Sequence, residues 1–231
     1  MKNARLSTML ASAGLALALA ACQSEVDDKT AAGVAEPPPV AATTTATAAP
    51  GTDVAVSRET SRIEFVGAKV TRDHKGGFSD FSGSLSWVDG KPVSVTFEIG
   101  IDSIFTDTPK LTAHLKTADF FDAAQFPKAT FKSTSIIEAP ADSKDIATHL
   151  IRGTLTMKGI EKAIVFPVSV TSDASGLEAK AVFTINRQDW GIAYKGMPDD
   201  LVRDDVLIKL DMKFPPAPAA PAPPAAPATK G

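Results

Sequence analysis

Residues 177–185 read Leu-Glu-Ala-Lys-Ala-Val-Phe-Thr-Ile. Leu177, Ala179, Ala181, Phe183 and Ile185 fall on one side of an extended chain, opposite Glu178, Lys180 and Thr184. Successive side chains of a strand point to opposite faces, so a period of two marks a strand with one buried face. The same alternation recurs upstream. Val93, Val95, Phe97, Ile99 and Ile101 share a face against Ser94, Thr96 and Glu98. Ile164, Phe166, Val168 and Val170 form another, and Phe81, Gly83, Leu85 and Trp87 a further one. Near the end, Val206, Ile208, Leu210, Met212 and Phe214 alternate with Leu207, Lys209, Asp211 and Lys213. Weaker strand candidates cover residues 62–70, 130–138 and 149–157.

Turn signals separate these runs: Lys75-Gly76-Gly77, Asp89-Gly90-Lys91-Pro92, Lys158-Gly159 and Ser175-Gly176. The Asp89-Gly90 and Ser175-Gly176 pairs suit tight hairpins. About eight antiparallel strands joined by short turns predict an all-β closed barrel or sandwich. One segment breaks the pattern. In residues 107–124, Leu111, His114 and Leu115 take helical spacing, followed by Ala118, Phe120 and Phe121. A short helix and loop across one end of the sheet is expected there.

The ends of the chain have a different composition. Residues 1–22 begin with Lys2 and Arg5, continue through an uncharged Leu- and Ala-rich run, and end Leu19-Ala20-Ala21-Cys22. The run is short for a helix of about 20 residues that spans a bilayer, and it suits a secretory signal. The final block resembles a bacterial lipobox, which implies cleavage before Cys22 and acylation of it. Two or three acyl chains hold a protein on a membrane where one is marginal. Gln23, in place of Asp, implies an outer-membrane lipoprotein of the bacterial cell envelope, facing the periplasm. Residues 23–55, with Pro37-Pro38-Pro39 and Thr43-Thr44-Thr45, lack apolar periodicity and are expected to be a disordered linker. Residues 215–231 are Pro- and Ala-rich and are expected to form a disordered, extended tail. The globular domain is then 56–214, long enough to bury a core without disulfides or metal.

Composition narrows the function. The 231 residues carry 27 acidic and 24 basic side chains, net charge −3, which excludes a strongly basic nucleic-acid binder. Loss of Lys2 and Arg5 with the signal leaves 22 basic residues and a net charge of −5. The single cysteine allows no intrachain disulfide or multi-cysteine metal site. His74, His114 and His149 lack ligand spacing, so no metal is expected. Neither G-x-S-x-G, H-E-x-x-H nor a phosphate loop occurs. An enzyme is not expected; a hydrolase or isomerase using His149 and His114 with Asp119 or Asp122 is the lesser alternative. All fifteen aromatic residues lie in the globular part. An eight-stranded barrel is either filled by such side chains or holds one small ligand.

Four blocks, in order, resemble the YceI-like family of bacterial periplasmic proteins. The first is Gly77-Phe78-Ser79-Asp80-Phe81-Ser82-Gly83. The second runs from His114-Leu115-Lys116 through Asp119-Phe120-Phe121-Asp122 to Phe126-Pro127-Lys128-Ala129-Thr130-Phe131-Lys132-Ser133. The third is Gly153-Thr154-Leu155-Thr156-Met157-Lys158-Gly159, and the fourth Asn186-Arg187-Gln188-Asp189-Trp190-Gly191. The resemblance implies a lipocalin-like, eight-stranded antiparallel barrel with a short helix near one end. It also implies a long isoprenoid-type lipid, a quinone or a polyprenyl lipid, held inside. The chain departs from the commoner pattern in residues 66–77, and the Arg-Asp pair expected before His114 is missing.

On this reading the candidate lumen residues are Phe65, Phe81, Leu85, Phe97 and Ile99 from the first half of the domain. Phe131, Phe166, Phe183, Ile185 and Leu210 follow from the second. Phe120 and Phe121 are candidate gates at the mouth, and Trp190 with Tyr194 is expected at the entrance, where rings with polar tips are at home. His114, Arg187 and Asp189 are the headgroup or structural polar candidates, with Arg187–Asp189 pairing as a secondary expectation. No cofactor other than the bound lipid is expected. The partners are that lipid, the membrane through Cys22 and, as an open alternative, a second copy of the chain. A structural envelope lipoprotein with a filled core remains the competing binding-free reading.

Overall fold

The alternating stretches form strands, as their apolar faces require. The computed structural model describes residues 26, 29–35, 52–88, 91–139, 147–198 and 200–216. The signal segment with Cys22, the Asp89-Gly90 turn and the tail from 217 lie outside the described residues. In chain order the strands are β1 Gly33–Ala35, β2 Thr52–Ala55, β3 Arg62–Lys69, β4 Asp73–Phe78, β5 Phe81–Val88 and β6 Lys91–Gly100. Then come β7 Ile104–Thr106, β8 Lys128–Glu138, β9 His149–Met157, β10 Ile160–Asp173, β11 Gly176–Asn186, β12 Gly196–Met197 and β13 Asp200–Phe214. One helix, α1, spans Pro109–Leu115, and short 3₁₀ turns cover Ile101–Ser103 and Arg187–Trp190.

The main path of the sheet is β2-β5-β6-β8-β9-β10-β11-β13-β3-β4-β7, antiparallel throughout. It curls into a half-barrel, and the fold is all-β with, among the described residues, a single short helix, as the sequence predicts. Backbone bonds from Val56 N to Gly83 O (2.9 Å) and Ser57 N to Lys213 O (2.7 Å) tie the β5 side to the end of β13. The β9–β10 hairpin turns on Lys158 and Gly159, with φ of 48° and 71°, between the paired Met157 and Ile160. Two positive φ values in a two-residue loop match the right-handed twist of the strands it joins.

The inward faces of β11 and β13 are those the period of two predicts. In β6 the prediction fails at one residue. Ser86 pairs with Ser94 but Trp87 with Pro92, so Val93 is an extra residue in the ladder. This bulge turns Val93 outward, 45% exposed, and puts Pro92 on the inner wall.

The linker expectation for 23–55 is corrected at three places. Thr52–Ala55 is β2, paired with β5. Val26 is buried among Val66, Ala68 and Leu207. Residues 29–35 fill a seam in the barrel. β10 pairs with β9 up to Val168 and with β11 only from Ser169 onward, so its first half diverges from β11. Gly33–Ala35 pairs with Ala163, Ile164 and Val165 of β10. On the other side Ala32 N donates to Thr184 O (2.7 Å), and Thr184 N donates to Thr30 O (3.0 Å). The strap thereby satisfies backbone groups of a strand edge that would otherwise open to solvent.

Candidate functional site

The inward residues of the long strands pack as one apolar cluster. They line an apolar chamber of about 150 Å³. Every residue lining it has an apolar side chain, from Ile63 on β3 to Phe214 on β13. Leu85, Phe97, Ile99, Phe131, Phe166, Phe183, Ile185 and Leu210 stand on this wall. Phe166 stacks on Phe183 with ring centroids 4.4 Å apart, and Phe131 lies 5.6 Å from Phe166. Phe81 and Trp190 are buried in the surrounding packing and are not among the lining residues.

Glycines keep the rings off the lumen axis. A Cβ built on Gly83 would run into the Phe97 ring, and one on Gly153 into the Phe131 ring. Each ring therefore lies flat on a strand where a side chain is missing, a close approach that only glycine permits. Ala179 and Ala181 on β11 add to the clearance as small wall residues.

A second chamber, of about 210 Å³, lies at the helix end. Phe78, Met157, Ile185 and Ile208 line both chambers, so the two adjoin. Phe65, Phe120 and Phe121 belong to this mouth. Pro109 starts α1 at a position where a missing N–H costs nothing. Leu115 at its end packs with Ile104, Phe120 and Ile192. The mouth is where polar side chains enter: Lys69, His74, His114, Arg187 and Tyr194 are among its lining.

His114 Nε2 lies 2.9 Å from Asp119 Oδ2, and its ring meets Phe120 and Tyr194 edge-on, with centroids 5.0 and 4.9 Å away. Arg187 is buried and tied down. It donates to the carbonyls of Ile192, Val202 (3.2 Å) and Arg203 (3.0 Å), and to Asp204 Oδ1 at 3.0 Å. Burial pushes its pKa down, and the Asp204 charge opposes that. The expected Arg187–Asp189 pair is thus corrected to Arg187–Asp204, because the 3₁₀ turn starting at Arg187 carries the guanidinium back toward β13. Asn186 Oδ1 accepts from Gln188 N (3.0 Å) and fixes that turn. Trp190 is also corrected: it is fully buried, its indole N–H donating to Leu155 O (3.0 Å). Tyr194 does stand at the mouth.

His74 was not picked out from the sequence as a mouth residue. It is 8% exposed, and its Nδ1 lies 2.9 Å from Asp107 Oδ1. That hydrogen bond holds the Asp107 carboxyl below the usual carboxylate range. The usable signal was the alternation His74, Gly76, Phe78, which puts all three on one face of β4. Among the described residues, no group of three His, Cys, Asp or Glu side chains is arranged to hold a metal.

A YceI-like domain model matches residues 55–214. A UPF0312 protein of Pseudomonas putida strain F1 is 28% identical over 142 residues, 58% of this chain and 71% of its own length. Among solved structures, Burkholderia cenocepacia BcnA superposes with a TM-score of 0.60 at 24% identity, covering 68% of this chain and 98% of its own. A polyisoprenoid binding domain from Saccharophagus degradans, implicated in plant cell wall breakdown, gives a TM-score of 0.58 at 16% identity, covering 73% and 100%. At these identities the two structures are similar to this chain in fold.

Proposed function

The chain belongs to the YceI-like domain family, and from that premise we propose that it binds a long isoprenoid-type lipid, a quinone or a polyprenyl lipid, in its barrel. The observation that carries this reading is the apolar chamber, adjoining a mouth that, among the described residues, brings polar groups to its edge. Each 100 Å² of apolar surface buried contributes about 2.5 kcal/mol, while association costs roughly 4–15 kcal/mol. A ligand held without polar contacts must bury several hundred Å², which favours a long chain over a short one. The headgroup sits among His74, His114 and Tyr194. A domain of similar fold is described as binding a polyisoprenoid, and the same ligand class suits this wall.

An acid–base enzyme would need a titrating group at the reacting atom; His74 and His114, each 2.9 Å from a carboxylate oxygen, stand at the mouth, and no described lining residue of the main chamber titrates. A structural protein with a filled core is the alternative reading, and the wholly apolar lining of the chamber favours the carrier. No helix among the described residues is long and apolar enough to cross a membrane, and the proposed attachment is acylation of Cys22, on the periplasmic side of the outer membrane. Replacing Cys22 by Ala is expected to move the protein from the membrane to the soluble fraction; a variant that stays membrane-bound contradicts the anchor. The ligand is tested by organic extraction of protein purified from native membranes, followed by mass spectrometry. A stoichiometric prenyl lipid is expected. Protein that carries none, and takes up no polyprenol when offered it, overturns the proposal.

A further inference from the structure

The strap sets how far the barrel can stand from its anchor. Val26 is seated on the outer wall against Val66, Ala68 and Leu207. Leu207 points away from the lumen by the alternation of β13, yet it is completely buried. Gly67, Val206 and Ile185, next in the chain to Val66, Leu207 and Thr184, line the mouth chamber. Val26 and residues 29–35 therefore run around the barrel just below its open end.

Cys22 lies four residues before Val26, a reach of about 14 Å when fully extended. β3 rises about 3.3 Å per residue, so Val70, four residues beyond Val66, stands roughly 13 Å above the seat. In the other direction Phe214, seven residues past Leu207, is roughly 23 Å away. An acylated Cys22 can reach the mouth end and falls short of the opposite one, where Phe214 lies. The rim at that end presents apolar side chains to solvent. Val70 is 68% and Leu201 49% exposed, joined by a hydrogen bond from Val70 N to Leu201 O of 3.2 Å. Outward residues on the flank below are charged: Glu64, Lys209 and Asp211. Charges of both signs flank the rim, Lys69, Arg72 and Arg203 against Asp73, Asp204 and Asp205, so apolar contact rather than net charge is what it offers a bilayer.

We propose that the strap docks the open end of the barrel onto the leaflet that holds the Cys22 acyl chains, with Val70 and Leu201 in the interface, so that lipid passes directly between leaflet and chamber. The inference rests on the anchored, lipid-binding reading above.

The test uses full-length acylated protein in phosphatidylcholine vesicles and measures the rate at which it takes up a fluorescent polyprenol from them. A flexible Gly/Ser insertion of about 30 residues after Gln23 lengthens the tether ahead of the strap. The same insertion after Thr44 lengthens the chain behind it. The first is expected to slow uptake at least tenfold with polyprenol affinity unchanged, and the second to leave the rate within twofold. Equal rates for both insertions overturn the docking. The pair Val70→Asp and Leu201→Asp is expected to slow uptake about tenfold at unchanged affinity; an unchanged rate overturns the rim contact. Two controls separate the layers. A Cys22→Ala variant that remains membrane-bound defeats the anchor, and one that binds no polyprenol defeats the ligand, each overturning this inference as well. If both controls hold and the insertions are equal, the docking alone fails.

Discussion

Single residues set the width and polarity of the cavity. Phe97 and Phe131 each lie over a glycine, Gly83 and Gly153, and a methyl group there would meet the ring and a backbone carbonyl of the neighbouring strand. Gly153→Ala is expected to cost about 1–3 kcal/mol through overpacking, read as a lower urea midpoint, and to reduce polyprenol uptake by pushing Phe131 into the lumen. A variant of unchanged stability and capacity would show that the ring has room elsewhere. At the mouth, the hydrogen bond from His74 depresses the Asp107 pKa. A lowered carboxylate pKa stabilises the fold above its unfolded value, about 3.9, and the contribution is lost as pH falls through the folded value. The wild type is therefore expected to exceed Asp107→Asn in urea midpoint near neutrality, with the gap shrinking below about pH 4. A gap constant down to about pH 2 contradicts that link. Inward positions such as Leu85, Phe97 and Phe183 were legible because a strand's period fixes the facing of each side chain. The partner of Arg187 was not, because a 3₁₀ turn redirects it toward Asp204, which sits on another strand.

Among the elements, the strap shows where pattern reading stops. The stretch around Gly33–Ala35 has no alternation of its own, because its role is to lend backbone groups to β10 and β11 rather than to bury a face. Nothing local in 23–55 distinguishes such a segment from a spacer. The seam it fills is a tertiary fact, produced by the divergence of β10 from β11 after they part at Ser169. The Val93 bulge was hidden for a similar reason, since a single inserted residue leaves the apolar count of β6 intact. Deleting residues 26–35 is expected to expose the Thr184 amide, which bonds to Thr30 O. Its hydrogen exchange should accelerate at least tenfold while amides in the β11–β13 ladder change little. Unchanged protection at Thr184 would mean that the strap does not seal the seam in solution.

At the scale of the molecule, the barrel carries charged side chains such as Glu64 and Lys209 on its outer face and an apolar lining within. The family blocks from Gly77 to Gly191 made the architecture legible. Whether the barrel is filled or open was not, because that depends on how rings, glycines and alanines on different strands combine. Interior substitutions should therefore outweigh mouth ones. Leu85→Trp, which fills the chamber, and Phe183→Ala, which removes a stacked ring, are expected to alter polyprenol uptake more than His114→Ala. Equal uptake by all three at equal folding would argue against an interior site. The most direct test of the central claim is mass spectrometry of the organic extract from protein purified out of its native membrane. The account predicts a prenyl lipid in about one-to-one ratio with the barrel; a native protein without any apolar ligand, and unable to acquire one, would contradict it.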